Sequence, residues 1–305
     1  MSDTSTAGGT TAGVSDDRSG PGDAASVVAG ASEAVTARRD GLVPQWRSRL
    51  LPPVLVFFGF VAIWYLYARF VLDENGRNTA LAYPHEVVTT FFGGADGQQP
   101  GQLLSATWLT FVVALAGLII AMLLGVFAAV MMSQAAWIET SFYPYAVFLQ
   151  TVPILALVPL IGLLFGFGMG ARILVCVIIS LFPIITNTLF GLKSAEKAQH
   201  ELFSLHHANR WTRLTKLQFP SALPAMFTGF QISAGLSVIG AIVGGFFFGR
   251  GPRDLGNRIL LYSNRLRPAE MIAAVILSAL LGVVFFQFFG WAGNRLTRSW
   301  YKGER

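Results

Sequence analysis

The chain has 305 residues and a net charge of +6, yet only 12% of its residues are charged while 53% are hydrophobic. Soluble domains carry roughly 25% charged residues, so this composition excludes an ordinary water-soluble enzyme and calls for an apolar solvent. The basic residues stand in short segments between apolar runs, which reads as membrane topology and contact with lipid headgroups rather than nucleic-acid binding.

Residues 1–45 are rich in Ser, Thr, Gly, Ala and Asp, with no aromatic residue before Trp46. Such a segment buries too little apolar surface to offset its ordering entropy, so a disordered N-terminal tail is expected. It lacks the charged and apolar regions and the cleavage site of a signal peptide. From there to residue 305 the chain reads as one membrane domain. Crossing the hydrocarbon core takes about 20 apolar residues as a helix. Six candidate spans follow, at residues 50–72, 103–132, 142–167, 173–192, 222–248 and 271–293. The expected fold class is therefore an all-α membrane protein of about six transmembrane helices. The third and fourth spans are separated only by the Gly-rich turn 166–170.

Six spans put both termini on one side of the membrane. Arg38, Arg39, Arg47 and Arg49 precede the first span, and Lys193, Lys197, Arg210, Arg213 and Lys216 lie between the fourth and fifth. Arg295, Arg298, Lys302 and Arg305 follow the sixth, whereas the first loop holds Asp73, Glu74, Glu86 and Asp96 against Arg77. By the positive-inside rule both termini and the 193–220 loop are cytoplasmic. One segment runs against the rule, because Arg250, Arg253, Arg258, Arg265 and Arg267 fall in an outer loop. These arginines suit an anionic solute or an acidic protein face.

Pro144, Pro153, Pro159 and Pro183 lie in or beside the third and fourth spans. Each removes a helix hydrogen bond and predicts a kink, as in helices lining a moving pathway. Gly162, Gly166 and Gly170, and also Gly240 and Gly244, are four apart, a spacing that predicts close helix packing. Cys176 is the single cysteine and sits in an apolar run, so it reads as a small buried hydrophobe. The histidines show no HExxH-type spacing, and no metal site is expected. The spans are almost free of ionisable side chains, which argues against a proton-coupled secondary transporter. Candidate pathway residues are Gln150, Asn187, Gln231 and Ser237, on the ground that they are among the few polar groups within the spans.

The stretch 193–220 is too long for a simple connector. Its apolar residues Leu202, Phe203, Leu205, Ala208, Trp211, Leu214 and Leu217 recur mostly at three-residue steps, roughly as on one helix face. Short amphipathic helices are expected there, lying on the membrane or docking into a partner groove.

Here the chain resembles the integral membrane permeases of ATP-binding-cassette (ABC) importers, in the nitrate/sulfonate/taurine-type branch. That family's signature is Glu-Ala-Ala, three residues, Gly, nine residues, Ile-x-Leu-Pro. Glu201 stands in the Glu place, Leu202 and Phe203 in the Ala places, His207 in the Gly place, and Leu217 to Pro220 in the Ile-x-Leu-Pro places. His207, Ala208, Asn209, Arg210 and Trp211 stand where the branch reads Gly-Ala-Ser-Arg-Trp, and Asp254-Leu255-Gly256 where it has Gly-Leu-Gly. Gly245 occupies a place in the fifth helix where the branch often has Glu.

The resemblance implies a type I importer permease whose coupling helix fits a cleft in a cytoplasmic ABC ATPase dimer. Glu201, Leu202, Phe203, His207, Ala208, Arg210, Trp211, Leu217 and Pro220 would carry that coupling. The implied partners are the ATPase, a second permease copy in a homodimer or heterodimer, and an extracytoplasmic solute-binding protein. The chain has no G-x4-G-K-[ST] phosphate loop. No cofactor is therefore expected on this chain, ATP being used by the partner subunit. The implied cargo is a small solute of the nitrate, sulfonate, taurine or pyrimidine-precursor class. The alternative function is a secondary transporter or channel working without an ATPase. Histidine in the Gly place matters, because the glycine permits a left-handed backbone that histidine adopts less readily.

Overall fold

A computed structural model describes residues 45–73, 76, 80–91, 101–249 and 251–297, with side chains from Leu51 onward. The expected tail lies outside these residues except for Gln45, as do Arg38, Arg39, Arg298, Lys302 and Arg305 of the basic flanks, Glu74, Arg77 and Asp96 of the first loop and Arg250 of the outer loop. The chain divides into two units, residues 1–63 and 64–305. In the first unit, the described part is the leading stretch of helix α1 (Gln45–Phe70), which exposes Leu55, Phe57, Phe58 and Phe60. A helix apolar on every side suits an apolar surrounding.

The second unit continues with α2 (Pro84–Phe91), α3 (Gly101–Gln134), α4 (Ala136–Thr151), α5 (Ile154–Phe165) and α6 (Met169–Leu192). Then come α7 (Lys197–Leu205), α8 (Arg210–Arg213), α9 (Phe219–Phe247), α10 (Leu255–Asn264) and α11 (Pro268–Thr297). Among the described residues every regular element is helical. Five helical stretches are long and apolar enough to cross a membrane, and the bent pair α4–α5 brings the number to six.

The expected third span is not one helix. Of its three prolines only Pro153 breaks the chain, and α4 and α5 meet there at 100°. Val152, directly before Pro153, is extended at φ −67° and ψ 129°, because the proline ring disfavours helical backbone in the preceding residue. Pro144 and Pro159 stay inside helices.

Helix α6 packs against both α3 and α9. It runs parallel to α3, with Gly117 facing Cys176 and Gly125 facing Ile184, and antiparallel to α9, with Gly244 facing Arg172 and Gly229 facing Asn187. A Cβ on Gly240 would stand 2.9 Å from Cys176 Cα, so the α6–α9 contact requires glycine there. Gly240 and Gly244 thus pack closely as expected, whereas a Cβ on Gly166 or Gly170 would meet nothing within 4 Å. Gly166 instead ends α5 with a left-handed φ of 82°.

Two serines lock the same helix pair. Ser233 Oγ donates to Ser180 O at 2.7 Å, and Ser180 Oγ donates to Ser233 O at 3.2 Å. Both side chains are fully buried. Alanine at either position is expected to lower stability by about 1 kcal/mol. A double-mutant cycle read by thermal unfolding in detergent should show the two losses coupled.

Candidate functional site

The 193–220 stretch is a capped, two-helix element. Gln199 Oε1 accepts the Glu196 N–H at 3.2 Å at the start of α7, and Asn209 Oδ1 accepts the Thr212 N–H at 2.7 Å at the start of α8. Arg213 Nη2 donates to Ser204 Oγ at 2.9 Å, which ties the two helices together. From Arg210 the chain runs without interruption into α9 through a π-helical turn, Leu214–Gln218. The turn closes with Phe219 N–H on Leu214 O, directly before Pro220. A widened turn there relieves the carbonyl clash and the lost donor that a proline brings.

The single apolar face expected for this stretch is therefore corrected. The chain turns between α7 and α8, and the apolar residues fall into two groups. Leu214 and Leu217 are buried in the bundle, while Leu202, Leu205 and Trp211 are exposed, the last two at 78% and 70%. Of the residues implied in coupling, Glu201, Leu202, His207, Arg210 and Trp211 are exposed. Phe203, Ala208 and Pro220 are half-buried, and Leu217 is buried. His207 holds the left-handed conformation that its position demands, with φ 49°.

The four pathway candidates are not brought together. Gln150 is exposed beside the α4–α5 break and lines a cavity of about 420 Å³ with Thr151, Val152, Pro153, Phe182 and Leu236. Asn187 Nδ2 donates to Pro183 O at 2.8 Å. Gln231 packs against Gly290 of α11, where a Cβ would lie 2.6 Å from its Nε2. Ser237 is fully buried and donates to Ala234 O at 2.8 Å.

At the end of the bundle away from the 193–220 stretch lies a polar cluster that the sequence reading missed. Helix α6 starts earlier than expected and takes Arg172 into its first turn. Arg172 and Asp254 are 2% and 1% exposed and pair at 2.8 Å. The guanidinium also donates to Phe248 O, to Pro252 O at 3.3 Å and to Asn257 Oδ1 at 3.2 Å. Asp254 caps α10 by accepting the Asn257 N–H at 2.8 Å. Leu255 N–H donates to Thr110 Oγ1 of α3 at 3.0 Å. Burial pushes the Asp254 carboxyl up, against the opposing pull of the Asn257 N–H, the Arg172 guanidinium and the Gly256 N–H. This one cluster joins α3, α6, α9 and α10.

It also explains Gly245. A Cβ there would collide with the Asp254 carboxylate, lying 2.9 Å from its Cγ. Gly245→Ala is expected to cost about 1–3 kcal/mol by overpacking, and Gly245→Glu more, since it sets a second carboxylate against the first. Thermal unfolding of the purified variants checks the order. A sequence signal for the cluster did exist. Arg172 is the one charged residue between Glu139 and Lys193, and Asp254 is the one acid among the outer-loop arginines. Two of those arginines are already engaged, Arg258 with Gln102 Oε1 at 3.0 Å and Arg267 with Glu270. Arg253 and Arg265 are exposed.

A family model described as "Binding-protein-dependent transport system inner membrane component" matches residues 121–298. The formylaminopyrimidine transport permease protein ThiX of Halalkalibacterium halodurans is 33% identical over 196 residues, which cover 64% of this chain and 74% of that protein. The nitrate import permease protein NrtB of Leptolyngbya laminosa is 26% identical over 265 residues, covering 84% and 90%. In fold the chain is similar to a solved structure titled as inward-facing conformations of the MetNI methionine ABC transporter, with TM-score 0.55 and 17% identity over 65% of this chain and 95% of that one. These likenesses agree with the resemblance carried by the 201–220 signature. The chain belongs to the binding-protein-dependent transport system inner membrane component family and is a multi-pass permease subunit of an ABC importer.

Proposed function

We propose that the chain is the translocating subunit of a small-solute importer, with α7 and α8 as the coupling element for a cytoplasmic ABC ATPase dimer. The observation that carries this reading is the exposure of Leu202, Leu205 and Trp211 on a capped loop at the end of two spans. Three large apolar side chains held out this way are uncovered by the described residues and suit a partner groove. The chain itself holds no ATPase site and binds no cofactor, and ATP is used by the partner. Both termini and the 193–220 loop face the cytoplasm of a plasma membrane, which places Arg172, Asp254 and α10 on the outer side. There an extracytoplasmic solute-binding protein delivers cargo. A second permease copy, identical or different, completes the pathway within the membrane lipid.

Helical breaks are tolerated at membrane depth where they line a cavity or are buried in protein. This supports the Val152–Pro153 break, with Gln150 beside it, as the pathway segment, ahead of Asn187, Gln231 and Ser237. The cargo class follows the relatives, from nitrate to a formylaminopyrimidine. Reconstitution in proteoliposomes tests the reading. Uptake should require the ATPase, the binding protein and ATP together. Uptake by the permease alone would instead identify a secondary transporter or channel.

A further inference from the structure

The bend at Val152–Pro153 borders a cavity of about 420 Å³, within the usual range for small-ligand sites. Its walls are apolar side chains of two other helices, Ile178, Ile179 and Phe182 of α6 and Leu236 and Ile239 of α9. Its polar side chains come from α4, Gln150 and Thr151. Thr151 Oγ1 donates to Phe148 O at 2.9 Å, so its proton is already used. The Gln150 carboxamide is exposed and makes no hydrogen bond among the described residues. It offers both donors and an acceptor. Pro153 has no N–H, so the carbonyl of Leu149, also in the lining, has lost its helix donor.

What the cavity lacks is charge. No ionisable side chain among the described residues lines it. Helices α4, α5, α6 and α9 carry two charged residues, Glu139 and Arg172. Both are engaged elsewhere. Glu139 pairs with Lys193, about three turns along α4 from Gln150. Arg172 is 2% exposed and paired with Asp254. None of the described outer-loop arginines reaches the lining. An identical second copy would add the same uncharged walls. An anion here would give up water for apolar surface without a counter-charge. That costs far more than for a neutral group, which exchanges water for hydrogen bonds.

We infer that the permease passes an uncharged solute with an apolar body and an amide-like edge, not an oxyanion, and that Gln150 recognises that edge. The inference rests on the reading that the Val152–Pro153 break is the pathway segment.

The test is equilibrium dialysis of the permease–ATPase complex in nanodiscs against benzamide and benzoate, with empty nanodiscs as control. The two probes share a shape and differ in charge. Benzamide should bind about tenfold more tightly than benzoate. Gln150→Leu removes the carboxamide and should weaken benzamide about tenfold, a loss of about 1.4 kcal/mol. Gln150→Lys supplies the missing counter-charge and should reverse the order of the two probes. Melting curves of both variants check that they fold. Benzoate held by wild type as tightly as benzamide, or neither probe bound, would overturn the inference. Unchanged benzamide binding by Gln150→Leu would remove Gln150 from it. A separate result would sink the pathway reading beneath. Cys176 is the single native cysteine and is buried, so Gln150→Cys presents one accessible thiol. A bulky maleimide attached there before assembly should block ATP-driven uptake of the solute that the binding protein delivers. Full uptake after complete labelling would show that the break lies off the pathway, whatever the probes do.

Discussion

Asp254→Ala is expected to destabilise the protein by about 3–5 kcal/mol, the largest effect of any single substitution considered. The change leaves Arg172 buried and charged without its counter-ion, and an uncompensated buried charge costs far more than the pair itself contributes. It also strips α10 of its N-cap, because Asp254 accepts the Asn257 N–H, a loss of about 1 kcal/mol by itself. Asp254→Asn separates the two terms. The amide keeps the cap and a hydrogen bond to Arg172 but loses the charge, so its stability should lie between wild type and alanine. Arg172→Met combined with Asp254→Asn removes the stranded charge as well, and should recover part of what either substitution alone loses. Thermal unfolding of the purified chain in detergent measures these three variants, and Arg172→Met alone, against wild type. Alanine at 254 melting with wild type would mean that the pair does not hold the outer end of the bundle.

Leu205→Asp together with Trp211→Asp is expected to abolish ATPase association while leaving the permease as stable as wild type. Both side chains are largely exposed in the isolated chain, and surface substitutions of that kind alter stability by no more than about 0.5 kcal/mol. At an interface the same side chains are anchors, and the loss of a central aromatic alone weakens binding by on the order of thirtyfold or more. Two new carboxylates would also have to be desolvated to enter an apolar groove. Co-sedimentation with the ATPase, read beside a melting curve, distinguishes this from misfolding. Weak binding with an unchanged melting temperature is the predicted pair of results. Lowered stability would place Leu205 and Trp211 in the permease core instead.

Much of this architecture is legible in the residues, for reasons that are local. Long uncharged runs mark the spans because lipid demands apolar surface over a fixed length. The signature from Glu201 to Pro220 marks the loop, and the departure at His207 correctly flags a backbone that glycine would find easy, since the structure places that residue at φ 49°. What escaped the reading depends on tertiary context. Pro144, Pro153 and Pro159 carry the same local signal, yet only Pro153 opens a 100° bend. The steps from Leu202 to Leu217 read as one face only while the helix is unbroken; the chain turns at His207, and beyond that turn Trp211 stays exposed while Leu214 and Leu217 are buried. Arg172 and Asp254 are 82 residues apart in the chain. No local pattern pairs them, and the antiparallel packing of α6 on α9 is what brings them together. Gly245 read as a missing carboxylate, whereas in space it is the room that Asp254 occupies.

The most direct test of the coupling claim is co-purification of the detergent-solubilised chain with its ATPase, comparing wild type with a chain whose residues 200–215 are replaced by a flexible linker. Wild type is expected to retain the ATPase, and the replaced chain to lose it while still melting cooperatively. Equal retention by both, or no retention by either while the chain alone carries solute in liposomes, would contradict it.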